Sequence, residues 1–318
     1  MRAVSVRLVR LVVVILAVTF LTTLMTSAVQ GDTATVIAPF ASDEQREKIR
    51  HDLHLDEPVV MRYWRWLGDV AHGDLGRIYT GPQTSRPVAD EVTSRLPSSL
   101  RLMLYAQVLA LAVAIPLGVA TAHRSGSAFD TASNATAFGM MAVPSFVVLL
   151  LLTYWLGVRL DVVPVTYDRT LPGIGGHVRN YAVPSISLAL GEVAVYMRVL
   201  RGDMIATLQE DFVVLARATG LPARRVLWRH ALKPSSLTLV TAAGLNAGAL
   251  IGGAVVVETV YGLPGLGGAL ATAIATRQYA ALQTYVAVVA LGYVLVNLAV
   301  DALYAVLDPR TRRVQHVA

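Results

Sequence analysis

Side chains able to do chemistry are scarce in this chain and do not converge on a catalytic set. Its 318 residues include no cysteine, which removes disulfides, thiolate zinc sites and a cysteine nucleophile together. Only two lysines occur, Lys48 and Lys233, and there is no G-x-x-x-x-G-K-[S/T] run, so no phosphate-cradling loop is present. A G-x-S-x-G elbow and an H-E-x-x-H helix are also missing, and the seven histidines are scattered. His51 and His54, beside Asp52 and Asp56, come nearest to a metal pair. They stand in an exposed charged run (DEQREKIRHDLH, 43–54) that offers no closed set of ligands, and they read as solvated surface residues. Ser145, Ser185 and Ser187 lie in apolar runs with no histidine for company, which argues against an intramembrane hydrolase.

What remains are polar residues inside apolar runs, where an ionisable group is costly and by default a functional candidate. Glu192 is the clearest, since Arg198, six residues on, is the nearest base. Two roles fit it: facing a path through the membrane, where it would act on a cationic solute terminus, or a hydrogen-bonded carboxyl in a helix interface. Asn246 is a further path candidate, and Asn297 and Asp301 share one helix face at i, i+4.

The elements that must position these residues follow from composition. Hydrophobic residues make up 55% and charged residues 15%, against about a quarter charged in soluble domains, and the mean hydropathy is +0.56. The bilayer is the solvent of such a chain. A net charge of +6 is then a matter of topology rather than of nucleic-acid binding. Crossing roughly 30 Å of hydrocarbon takes about 20 apolar residues, and six runs qualify: 8–29, 102–122, 136–158, 181–199, 237–257 and 283–307. The first is too long for a signal-peptide core and reads as an uncleaved span. With the amino terminus cytoplasmic, 14 of the 27 basic residues fall inside, and the short outer loops carry only Arg159, Arg169, Arg179 and Arg277. The positive-inside rule therefore places both termini in the cytoplasm.

Two segments stand out between the spans. Residues 30–97 form a small extracytoplasmic domain: 43–54 is helical with Ser42 as N-cap, and 58–70 carries Val59, Tyr63, Trp66 and Val70 on one amphipathic face. Trp64 and Trp66 suit either the lipid interface or packing within that domain. Residues 198–234 form a compact cytoplasmic insertion with seven basic and three acidic residues. There Met204, Leu208, Phe212 and Leu215 mark an apolar helix face, Gly220 is a natural C′ residue, and Pro222 opens a second helix over 223–232. Such a protrusion fits the groove of a soluble partner, and it also fits a basic loop at the anionic leaflet. In the fifth span Gly244, Gly248 and Gly252 recur every four residues, a pattern for close helix packing. Beyond it, ETVYGLPGLGG (258–268) is too rich in Gly and Pro to continue the helix and turns at the outer surface.

Five segments in this order carry a resemblance: Leu55-Asp56-Glu57-Pro58 with Tyr63; Gly73-Asp74-Leu75-Gly76; EDFVVLARATGL at 210–221 with His230-Ala231-Leu232; ETVYGLPGLG at 258–267; and NLAVDALYAVLDPR at 297–310. Over nearly its whole length the chain resembles a permease subunit of the peptide and nickel class of ABC importers, similar to the first of the two permeases in dipeptide and oligopeptide systems. The resemblance implies an all-α integral membrane protein with the six-span type I importer fold. Its divisions would be a first span (1–29), an extracytoplasmic domain (30–97) and a core permease domain (98–318) whose helices at 203–232 couple to an ATPase. The coupling residues so implied are Glu210, Asp211, Ala216, Arg217, Ala218, Gly220, Leu221, Arg225 and His230. Those of the path or gate are Glu192, Asn246, Glu258, Pro264, Gly265, Gly267, Asn297 and Asp301.

The sequence departs from that family pattern at Thr219, where Lys is usual, and at Pro234 and Thr238, where Asn and a later Pro are frequent. The expected partners are a second homologous permease, two cytoplasmic ABC ATPases holding the ATP and Mg, an extracytoplasmic solute-binding protein and the bilayer, with no nucleic acid. No cofactor or metal is expected in this chain, and it is not expected to be an enzyme. Di- or oligopeptides are the first expectation for the cargo, with nickel, glutathione or another small solute beside them. A self-contained secondary transporter is the rival reading, and it would have no need of the cytoplasmic helix pair.

Overall fold

The structure, a computed structural model, describes residues 2–28, 33–37, 39–81 and 84–307, with the side chains of 2–11, 52, 249 and 301–307 outside that description. The side chain of Asp301, the residues that open the outer segment and the end of the 297–310 motif therefore lie outside the described residues. The elements run α1 (Arg2–Ala28), α2 (Thr33–Ile37), α3 (Asp43–Asp52), α4 (Val59–Ala71), β1 (Arg77–Tyr79), β2 (Ser85–Pro87), α5 (Val88–His123) and α6 (Ala128–Ala142). They continue with α7 (Ser145–Leu152), prolonged as a π-helix over Thr153–Arg159, then α8 (Gly173–Thr207), α9 (Asp211–Ala218) and α10 (Ala223–Arg225). A second π-turn, Val226–Ala231, leads into α11 (Leu232–Tyr261), followed by α12 (Leu266–Ala275) and α13 (Tyr279–Leu307).

Among the described residues, three helices are long and apolar enough to cross a membrane unbroken, within Val88–His123, Gly173–Thr207 and Tyr279–Val300. Two further candidates are bent: Ala128–Ala142 with Ser145–Arg159 turns through 99°, and the α10–α11 stretch bends by 48° between Gly248 and Leu250. The expected third span, 136–158, is thus two helices rather than one. Pro144 is the reason, because it keeps Val143 extended (ψ 120°) and itself becomes the N-cap of α7. The expected first span corresponds to α1, whose apolar stretch is Val12–Ala28.

By compactness the chain divides into two units, Met1–Ser99 with Pro264–Val294, and Leu100–Leu263 with Leu295–Ala318. In the first, Ser42 and Gln45 close a capping box at the start of α3, each satisfying an amide the helix leaves free. The amphipathic face expected of α4 forms: Tyr63 is buried, donates to the Leu16 carbonyl at 2.8 Å and meets Phe20 of α1 edge-on at 5.1 Å. Of the two tryptophans, Trp66 stacks on Tyr63 within the unit, whereas Trp64 is 66% exposed. The motif at 73–76 forms a turn with φ of +87° at Gly73 and +85° at Gly76, closed by Asp74 accepting from the Gly76 amide at 2.8 Å. It presents the Leu75 carbonyl to Thr284 of α13 at 2.9 Å. The main core of this unit gathers Ile78, Val88, Val92, Leu266, Ala269 and Tyr285.

The second unit is built around α8, which packs on α5, α6, α7 and α11 through two clusters of buried apolar residues. Small residues set the helix spacing. A Cβ on Gly118 would stand 3.0 Å from Leu200, and one on Gly244 would stand 2.3 Å from Val300, so α11 and α13 approach too closely there for any side chain. The glycine stripe expected in the fifth span holds only in part, because Gly252 faces open space while its neighbour Gly253 packs on Leu188. The bend at Gly248–Leu250 turns the face that a straight helix would have kept in line.

Candidate functional site

The insertion at 198–234 folds as a helix and a turn around a small core of its own, Val213, Ala216 and Val226, with Leu208 and Leu221 against it. Its first helix does not continue α8. The chain breaks over Leu208–Glu210, and α9 starts afresh with Glu210 as N-cap and Asp211 in its first turn, a charge that suits the helix N-terminus. This break corrects the apolar face read from the sequence. Met204 is buried on α8, whereas Phe212 and Leu215 are 47% and 65% exposed, and it is Val213 and Ala216 that turn inward. A periodicity carried across a helix break changes face.

Gly220 behaves as its position demands. With Thr219 as C-cap, Gly220 takes φ +78°, its amide donates to the Arg217 carbonyl at 3.0 Å, and the Leu221 amide donates to the Ala216 carbonyl at 3.3 Å. This is a Schellman closure, completed by apolar contact of Leu221 with Ala216. Nothing lies within 4 Å of where a Gly220 Cβ would be, so only the backbone conformation demands glycine. Thr219, where the family usually has Lys, donates its hydroxyl to the Ala216 carbonyl at 2.9 Å. Pro222 caps the next element as expected, but that element is not a separate helix over 223–232. It is one turn, Ala223–Arg225, and a π-turn that runs directly into α11. Arg217, Ala218, Arg224, Arg225 and Arg229 are exposed, and His230 is half-buried. The protrusion therefore offers Phe212, Val214 and Leu215 beside a fringe of arginines.

Among the path candidates, Glu192 of α8 and Asn246 of α11 come together. The Glu192 carboxyl lies near the side chains of Tyr196 and Asn246, while Tyr196 donates its hydroxyl to Gln107 of α5 at 3.1 Å. Glu192 also borders a cavity of about 140 Å³ with Ser145, Ser187 and Gly253, and its Oε2 is buried without a hydrogen-bond partner among the described residues. Glu258 is 1% exposed near the end of α11, which closes on Gly262 at φ +73° with the Leu263 amide donating to the Glu258 carbonyl at 2.9 Å. Past Gly262 the backbone leaves the helix and runs through Pro264, Gly265 caps α12, and Gly267 is buried within α12. The Leu266 amide is held by Ser99 at 2.8 Å. Asn297 lies on α13. His51 and His54 have ring centroids 6.3 Å apart, with His54 3.3 Å from Glu57, and among the described residues no three acidic, histidine or cysteine side chains gather as a metal site.

One feature of this unit was not anticipated from the sequence. Asp130, 3% exposed at the start of α6, takes a two-pronged bond from Arg201 of α8, Nε to Oδ1 and Nη2 to Oδ2, each at 2.6 Å. The Gly126 amide and Asn134 complete its shell at 2.9 and 2.8 Å. Three residues back along α8, Arg198 lies 3.9 Å over the Phe138 ring. Together these fasten α6 to the stretch of α8 that runs into the α9 protrusion. Ser127, an N-cap, was the only local signal.

Comparison with known proteins agrees with this architecture. Residues 114–313 match the family described as binding-protein-dependent transport system inner membrane component, and residues 1–103 match the N-terminal model of such membrane components. A probable peptide ABC transporter permease of Sinorhizobium fredii is 33% identical, the match covering 96% of this chain and 97% of that one. An oligopeptide transport system permease of Bacillus subtilis is 34% identical over 93% and 95%. A glutathione transport system permease of Escherichia coli is 32% identical over 96% and 97%. Among solved structures, the MetNI methionine ABC transporter in an inward-facing conformation superposes with a TM-score of 0.55 at 15% identity, covering 69% of this chain and 96% of that chain, a likeness of fold.

Proposed function

The chain belongs to the family of binding-protein-dependent transport system inner membrane components, and from that premise we propose that it forms one half of a heterodimeric pore that imports di- or oligopeptides. In this reading a second permease supplies the other half, two ABC ATPases dock on the cytoplasmic side with ATP and Mg, and a solute-binding protein delivers the cargo from outside. Both termini are cytoplasmic, six spans cross the membrane, and hydrolysis belongs to the partners, since no phosphate-binding loop occurs in this chain.

The observation that carries the reading is the protrusion around α9. Phe212, Val214 and Leu215 are large, exposed and contiguous on a short helix whose inner side is already filled by Val213 and Ala216. An apolar surface of that kind, fringed by arginines, suits insertion into a groove of a soluble partner. Closure of the ATPase pair would move α9, and the continuous joins to α11 and, through the break at 208–210, to α8 would carry that motion into the membrane. Glu192 and Asn246, at the meeting of α8 and α11, are proposed to line the path, with the Glu258 to Gly267 turn at its outer gate.

Peptide cargo is favoured by what the relatives are named for; the glutathione permease among them keeps a related small solute as the alternative. The test is uptake of a radiolabelled dipeptide into proteoliposomes holding the reconstituted complex and its binding protein. ATP-dependent accumulation is the expected result, and accumulation driven by an ion gradient without ATPase subunits would overturn the proposal.

A further inference from the structure

A cavity of about 310 Å³ lies within the first unit, between α4, the turn at 74–77 and the start of α13. Its size is at the lower end of the range for small-molecule sites, roughly 300–1,000 Å³. Three buried polar atoms on residues lining it have no hydrogen-bond partner among the described residues: Trp66 Nε1, Tyr279 Oη and Gln283 Nε2. Gln283 is 8% exposed. Most buried polar groups in native folds are hydrogen-bonded, so three orphans around one cavity point to a partner there.

The chemistry of these orphans is one-sided. An indole N–H and an amide NH₂ can only donate, and a phenol can donate as well. Beside them stand three arginines with different obligations. Arg65 is paired with Glu57 at 2.7 Å, and Arg77 donates to Ser85 at 2.9 Å. The Arg62 guanidinium has no hydrogen bond and no carboxylate within ion-pair distance among the described residues, and burial pulls it below the ordinary range. A half-buried cation surrounded by unused donors calls for an anion with several acceptor lone pairs, which is what a carboxylate provides. The same cavity is lined on its exposed side by Asp69 and Asp74, which would repel a plain anion and attract an ammonium.

We propose that this cavity binds a small zwitterionic solute of amino-acid to dipeptide size, its carboxylate held by Arg62, Trp66 and Gln283 and its ammonium facing Asp69 and Asp74. The site is formed by residues of the first unit alone and shares none with the Glu192 cavity, so it does not depend on the importer reading.

The test is ligand-observed saturation-transfer NMR on the full-length chain in lipid nanodiscs, without partner subunits. The probes are L-alanyl-L-alanine, its C-terminal amide and its N-acetyl derivative. Dialanine is expected to bind, with the amide and the acetylated form at least tenfold weaker. Arg62→Gln and Gln283→Leu should each weaken dialanine at least tenfold, while Arg62→Lys retains part of the affinity. Trp66→Phe, which keeps the ring and removes only the donor, gives a second reading should Arg62→Gln fail to fold. Absence of dialanine binding, equal binding of the three probes, or unchanged binding in both Arg62→Gln and Trp66→Phe would each overturn the proposal.

Discussion

Single residues carry the account at three places. Gly220 sits at φ +78° with open space around it, so a β-branched side chain there costs conformational energy alone, about 1–2 kcal/mol. Gly220→Val is expected to leave the chain in the membrane while sharply lowering substrate-stimulated ATP hydrolysis by the reconstituted complex; normal stimulation in that variant would refute the coupling role. At Glu192, replacement by Gln keeps the shape and removes the charge, and altered dipeptide uptake across a pH series is expected if it borders the path. Uptake identical to wild type at every pH would assign it to helix packing instead. Asp130 is 3% exposed and doubly bonded to Arg201, and breaking a pair of this kind costs on the order of 3 kcal/mol. Asp130→Asn should lower the thermal midpoint in detergent, and pairing it with Arg201→Gln should lower it by less than the sum of the two single changes. Gly220 was legible in the sequence because a positive φ leaves its mark on one position and its neighbours. The Asp130–Arg201 clamp was not, since its partners are 71 residues apart and neither stands out locally.

At the scale of elements, the structure separates what a helix buries within the chain from what it leaves for a partner. On α9 the inward residues are Val213 and Ala216 and the outward ones Phe212, Val214 and Leu215. Leu215→Asp is therefore expected to abolish recovery of the ATPase subunits with the permease while the permease itself still elutes as a folded species; recovery at the wild-type level would mean that the exposed face docks nothing. Val213→Asp, by contrast, buries a charge in the small core and should destabilise the protrusion itself. Helical periodicity located this segment but assigned the wrong face, because the chain breaks over Leu208–Glu210 and a phase counted from Met204 does not survive the break. The break in the third span was missed for a related reason: Pro144 divides an apolar run that hydropathy reads as continuous. The cap at Ser42 and the turn glycine at Gly220 were read correctly, since their requirements are local.

For the whole molecule, composition and family pattern reached further than any local rule. A chain with 15% charged residues and family matches over most of its length is a membrane component of a transport system. In the proposed assembly the ATPase partners bring the phosphate-binding loop, and the exposed apolar residues of α9 are where they would dock. Cargo is the least legible property, because nothing in the five resemblance segments bears on solute chemistry; only the cavity of the first unit, with its unused donors, adds such information, and that required coordinates. The central claim is that this chain works as one subunit of an ATP-driven assembly. The most direct test is gentle extraction of the tagged protein from its native membrane, followed by mass spectrometry of what accompanies it. The account predicts a second homologous permease together with ATPases carrying nucleotide-binding loops. A chain recovered without any ATPase, and still active in reconstituted transport, would contradict it.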